Sequence, residues 1–279
     1  MARSYRPKSS DVYAMVAAPA RRASSHLGSR AVGASIQMGG ITMKRWKIGA
    51  GILAVLLATG CAQMPKQAFN REAAPHVRTL VVARAANQES YEANVLGHPG
   101  MSFGLIGGLI AVADMQVKSG QLTKAIDPAE TRLQDRFTEK LLEALQKVGY
   151  ATAVVTVPTG IKEVDVMPYV LKQGTKADAM VLLGLYGGYW AAGPNTDYQP
   201  RLAASVKVTD LRGGSVLYQD VISYGYPLSQ GKSVHFASDA KYRFASVGAL
   251  TADPSVTREG LLSGIETVAN QIAEDLKRN

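Results

Sequence analysis

Ala179-Met180-Val181-Leu182-Leu183-Gly184-Leu185-Tyr186 is apolar throughout. A short run of this kind predicts a central strand buried on both faces. Downstream, Leu202, Ala204, Val206 and Val208 alternate with Arg201, Ser205, Lys207 and Thr209, the pattern of a strand with one wet face. Asp210-Leu211-Arg212-Gly213-Gly214 supplies a turn, and Ser215 to Tyr224 returns as the hairpin partner. Asp253-Pro254 then opens a terminal helix with Leu261, Ile265, Val268, Ile272 and Leu276 on one face.

Upstream of the central strand, Glu163 to Gln173 predicts a weak helix interrupted by Pro168, and Tyr150 to Val157 a strand ended by Pro158. Asp127-Pro128-Ala129-Glu130 offers a helix N-cap, a proline at the first helical position and a reaching Glu. Leu133, Phe137, Leu141, Leu145 and Val148 continue that helix, and Gly149 stops it. A first strand is expected at Arg78 to Arg84. This order predicts one α/β domain over residues 76–279, a single mixed-sheet sandwich with helices packed on the sheet and an amphipathic C-terminal helix.

Composition narrows the function. The 279 residues are 47% hydrophobic and contain one cysteine, which excludes a wholly disordered chain, a disulfide scaffold and a thiolate zinc site. Four scattered histidines, His26, His76, His98 and His235, leave little for a metal centre. The formal charge of +9 is concentrated: residues 1–60 hold nine basic side chains against Asp11, so the remainder stands near +1. That balance argues against nucleic acid as a partner.

Met43-Lys44-Arg45-Trp46-Lys47 precedes the uncharged run Ile48 to Leu57, then Ala58-Thr59-Gly60-Cys61. A cationic start, ten apolar residues and a small-residue end are the three parts of a secretory signal peptide, here residues 43–60, and the run is too short to span a bilayer. Leu57-Ala58-Thr59-Gly60-Cys61 resembles the lipobox of bacterial lipoproteins, with Ala58 where that pattern more often has Leu. The resemblance implies that Cys61 becomes the N-terminus and carries acyl chains such as palmitate. Two or three chains make a stable anchor. Ala62, in place of the Asp that retains such proteins at the inner membrane, implies the outer membrane, facing the periplasm. Residues 1–42 are then read as a mis-assigned start, with Met43 or Met38 as the first residue, or as an Arg-rich targeting extension. Residues 61–75 read as lipid anchor and tether.

The element order also resembles the small α/β module of envelope lipoproteins, including the penicillin-binding-protein activator lipoproteins and the curli secretion lipoprotein. The glycine-rich stretch after the first strand resembles a group of uncharacterised bacterial lipoproteins. Neither likeness transfers a catalytic residue.

The candidate contact residues are Gly100, Gly104, Gly108, Tyr189 and Trp190. On a helix the three glycines would share one face, open to close approach by a second helix or a membrane, or packed on the protein's own sheet. The apolar part, Met101 to Ala113, is too short to span alone. Gly187 to Pro194 reads as a loop presenting Tyr189 and Trp190 beyond the central strand, within a cluster of seven aromatics between Tyr186 and Tyr226.

Chemical motifs are weak. Gly104-x-x-Gly107-Gly108 has the wrong spacing for a dinucleotide loop, and Gly231-Lys232-Ser233 lacks the upstream glycine of a phosphate loop. Ser238-Asp239-Ala240-Lys241 matches Ser-x-x-Lys, but Lys118-Ser119-Gly120 precedes it where the partner should follow. Ser233, His235 and Asp239 have triad chemistry crowded into seven residues. The expectation is therefore a non-enzymatic, lipid-anchored envelope protein without cofactor or metal, acting on an envelope protein partner or by self-association. The alternatives are an oligomeric secretion or pore-assembly component and an envelope hydrolase.

Overall fold

The computed structural model describes residues 66–227 and 233–277. β4 (Ala179–Ala191) is the spine of the sheet. β1 (Thr79–Arg84) runs parallel to its first residues, with Leu80 opposite Ala179 and Ala83 opposite Leu182. β2 (Glu92–Val95) runs parallel to its last four, with Glu92 opposite Gly188 and Val95 opposite Ala191. The other edge of β4 pairs antiparallel with β5 (Gln199–Asp210), which forms a hairpin with β6 (Val216–Gly225). β3 (Ala151–Thr156) flanks β1 and β7 (Val234–Phe236) flanks β6, both parallel. Among the described residues the strands form one mixed sheet in the order β3-β1-β4-β5-β6-β7, with β2 joined to β4 off that path. The predicted α/β sandwich is the fold observed.

Six α-helices lie among the described residues: α1 (Gly104–Ile126), α2 (Pro128–Thr131), α3 (Leu133–Lys147), α4 (Glu163–Lys172), α5 (Val247–Ala252) and α6 (Pro254–Asp275). On one face, Leu80, Val82, Leu183, Leu202, Val206 and Ile222 meet Phe137, Leu141 and Leu145 of α3 and Leu261, Ile265 and Val268 of α6. Leu122 and Ile126, from the second half of α1, complete this core. Each large apolar side chain so buried stabilises by about 1.5–3 kcal/mol. On the other face α4 covers only the β1 end, where Val166 and Val170 pack on Val81, Ala83 and Met180.

The capping chemistry works as its residues dictate, with one departure. Asp253 accepts a hydrogen bond from the Val256 N–H at the start of α6, and Asp127 accepts one from Ala129 at the start of α2. The helix expected from Asp127 to Val148 is, however, two helices. Arg132 takes a left-handed conformation (φ 45°) between α2 and α3, held by its N–H to the Pro128 carbonyl and by its guanidinium on Asp135.

Two expectations are corrected. The tether reading does not hold for residues 66–75, which dock on the sheet: Lys66 pairs with the buried Asp220 at 2.7 Å, Gln67 exchanges backbone hydrogen bonds with Gln219, and Phe69 joins the core. Of the loop expected at Gly187 to Pro194, Gly187 to Ala191 is instead the end of β4. A Cβ at Gly187 would strike Leu133, and one at Gly188 would strike the Glu92 backbone, so both glycines serve close packing within a strand.

Candidate functional site

The most distinctive surface is the first half of α1 and the turn that leads into it. Leu96 and Gly97 continue from β2 by donating to the carbonyls of Ala191 and Ala192, and Pro99–Ser102 forms a short 3-10 turn. From Pro99 to Ala113 there is no charged residue. Phe103, Leu105, Ile106, Leu109, Ile110 and Val112 are between 43% and 82% exposed, and Met101 and Val117 extend the patch. Single exposed apolar side chains are ordinary on a soluble domain, but a contiguous ridge of this size marks a contact surface.

The base of this ridge is fixed by polar groups. His98 accepts the Gly100 N–H at its Nδ1 (3.1 Å), so Nε2 carries the proton and donates to Asp114 at 3.2 Å. Lys118 reaches the same carboxylate at 2.6 Å. The Lys118 hydrogen bond, aided by His98, holds Asp114 below the usual carboxylate range. Farther along α1, Ser119 accepts the Ala93 N–H and Thr123 accepts the Tyr91 N–H, which satisfies the open edge of β2. Lys118 and Ser119 therefore act in the structure of α1 itself.

The three candidate glycines do not share a helix face. Gly100 lies in the 3-10 turn and packs against Gly107, where a Cβ on either residue would strike the other's carbonyl oxygen. Gly104 starts α1 with a left-handed φ of 64°, and Gly104 and Gly108 face open space. One glycine contact thus folds the turn onto the helix. The apolar residues around it, which the spacing of glycines did not signal, form the surface.

Tyr189 is corrected from a surface contact to a core residue. It is fully buried, and its hydroxyl donates to the Thr257 carbonyl at 2.8 Å against α6, where Gly260 leaves room for it. Trp190 points to the opposite face, half-buried. The Arg201 guanidinium lies 3.5 Å above its ring, its Nε1–H donates to Tyr186 at 3.2 Å, and Tyr226 tilts against it at 6.1 Å. Tyr186 in turn donates to Glu92. Trp190 is packed among its own neighbours, and Arg201, placed there by its register opposite Gly188, is a partner the aromatic pattern did not reveal. Cys61 lies outside the described residues.

The hydrolase candidates do not assemble. Asp239 caps the turn at Ala240–Tyr242 by accepting from the Lys241 N–H. His235 meets Ser223 at 3.1 Å. Ser238 is buried, and Lys241 is held by Glu259 at 3.1 Å. Hydrogen bonds that it donates to Tyr242 and Glu259 push the Lys241 ammonium pKa up, opposite to what a lysine base requires. A cavity beside His98 and Lys118 holds about 140 Å³ and another, between α3 and α6, about 360 Å³, and neither is lined by Ser233, His235, Ser238 or Asp239. No cluster of three potential metal ligands exists among the described residues.

No family model matches the chain, and no curated protein matches it in sequence. Solved structures do. A PelC dodecamer from Paraburkholderia phytofirmans is similar at 9% identity over 78% of this chain and 98% of that one, with a TM-score of 0.33. A Xanthomonas campestris protein of the DUF330 family model is similar at 11% identity over 77% and 89%, TM-score 0.35. Lipoprotein GNA1162 from Neisseria meningitidis is similar at 13% identity over 70% and 98%, TM-score 0.23. At such low identity and TM-score, function is read from this chain's own residues alone.

Proposed function

We propose that this is a lipid-anchored protein of the bacterial envelope, held by acyl chains on Cys61 at the periplasmic face of the outer membrane, and that it works by binding rather than catalysis. The observation that carries the reading is the apolar ridge of Phe103, Leu105, Ile106, Leu109 and Ile110 on a domain whose remaining large apolar side chains are mostly in its core. The leader ending at Cys61 supplies the anchor. The structural roles of His235, which meets Ser223, and of Asp239, which caps the Ala240–Tyr242 turn, speak for a non-enzyme.

The test is crosslinking in intact cells read by mass spectrometry. The pattern of the natural protein is expected to survive in the His235→Ala/Ser238→Ala variant and to change in Leu105→Glu/Ile106→Glu. The reverse outcome would move the function from the ridge to the hydrolase candidates.

A further inference from the structure

We infer that His98 is a pH-operated catch on the turn between β2 and α1: on gaining a proton, its imidazole lets go of the Gly100 N–H and the Pro99–Ser102 turn loosens. The device lies in the turn alone and stands whatever meets the apolar ridge beside it.

A neutral imidazole has one nitrogen that accepts and one that donates, and His98 uses both. Nδ1 takes the Gly100 N–H at 3.1 Å, and Nε2–H serves the Oδ2 of Asp114 at 3.2 Å. A further proton adds at Nδ1. The imidazolium that results has two donors and no acceptor, so no rotation of the ring restores the bond to Gly100. With a side chain only 15% exposed, the ring would hold its new N–H against the Gly100 N–H across the same short gap. Asp114 gives the charged ring a partner once the turn is released.

The groups that face the ring keep their own charges through the range in which imidazoles titrate, about pH 5 to 8. On α1 these are Asp114 and Lys118, whose ammonium meets the same Oδ2 at 2.6 Å. That hydrogen bond, with help from His98, holds Asp114 below the usual carboxylate range. Burial works against the Lys118 ammonium, but its bond to Asp114 prevails and raises its pKa. Ahead of β5, Tyr198 reaches Lys118, and burial pushes its hydroxyl up. The other residues around the cavity beside His98, Ser246 ahead of α5 among them, have no titratable side chain.

Other contacts keep the turn in being. Met101 donates to the His98 carbonyl and Phe103 to the Gly100 carbonyl, and Gly100 packs on Gly107. These contacts involve no titrating group, so the turn loosens at Gly100 and does not unfold. Met101 and Phe103 sit in and just after the turn, both exposed. Their placement relative to Leu105 and Ile106 therefore follows the charge on His98.

The test is hydrogen exchange of the Gly100 amide, followed by NMR on the full chain at about pH 8 and pH 5 and corrected for the intrinsic pH dependence of exchange. His76 and His235 titrate elsewhere in the fold, and a single amide reads the turn apart from them. Protection of Gly100 is expected to fall several-fold at the lower pH. In His98→Asn, whose side-chain oxygen still accepts at a cap but takes up no proton in this range, it is expected to hold at both. Equal protection at the two pH values in the natural protein would overturn the inference. So would a fall of the same size in His98→Asn, which would place the cause elsewhere. Ring nitrogen shifts of the natural protein give a check that needs no variant: a proton found on Nδ1 at the higher pH would also overturn it.

Discussion

Asp178 shows how much of the sheet depends on one carboxylate. It accepts hydrogen bonds from the Arg78 and Thr79 backbone N–H groups and the Thr79 hydroxyl, and its other oxygen meets Arg212 at 3.0 Å. Burial alone would raise its pKa, but these donors prevail and bring it to about 2. The folded value lies below the unfolded one, so the stabilisation is fully present above about pH 4 and is lost as pH falls toward 2. Asp178→Asn is expected to lower stability by about 1–2 kcal/mol at pH 7. The cost should shrink at pH 3, as read by urea unfolding at both values. An equal cost at both would assign the effect to shape rather than charge. Trp190 and Tyr189 carry the other residue-scale lesson. Adjacent in the chain, they point to opposite faces because they lie in a strand, and only Tyr189 enters the main core.

At the scale of elements, α1 is where glycines divide into two kinds. A side chain on Gly107 would meet the Gly100 carbonyl and Phe103, while one on Gly108 would meet nothing. Gly107→Val should therefore detach the Pro99–Ser102 turn and lower the melting temperature. Gly108→Ala should raise stability by up to about 1 kcal/mol, since Ala is the better helix former. Thermal unfolding of both variants, followed by circular dichroism, checks this pair; equal effects would contradict the packing described. Gly104 is unsuitable for such a test, because its φ of 64° strains any other residue. Elements with a strong period were legible in the sequence: the Leu133 to Val148 face, the alternation in β5 and the Asp253 cap all stand where their patterns put them. The elements missed were those without a period. β2 and β7 have four and three residues. Gly187 and Gly188 imitate a turn, although their place in β4 is explained by Leu133 and Glu92 pressing against the backbone.

At the scale of the whole molecule, the sequence disclosed the α/β sandwich but not which surface it leaves open. Glycine spacing drew attention to a segment whose apolar side chains prove exposed, but it did not foretell that exposure, which is a property of what fails to cover α1 and depends on contacts distant in sequence. The segment before β1 had a similar fate. Read as a tether, it is joined to the sheet by Lys66, whose ammonium meets an Asp220 side chain only 2% exposed. Lys66→Ala should cost about 1–2 kcal/mol, less than the 3–5 kcal/mol of a wholly buried pair because Lys66 itself is partly open to water. Unfolding of the variant beside Asp220→Asn and the double variant would separate the pair from its members.

The anchor itself is tested most directly by the mass of the N-terminal peptide from protein isolated from bacterial membranes. The account predicts a chain that starts at Cys61 and carries a diacylglyceryl group on sulfur. A peptide containing an intact Gly60–Cys61 bond and an unmodified thiol would contradict it.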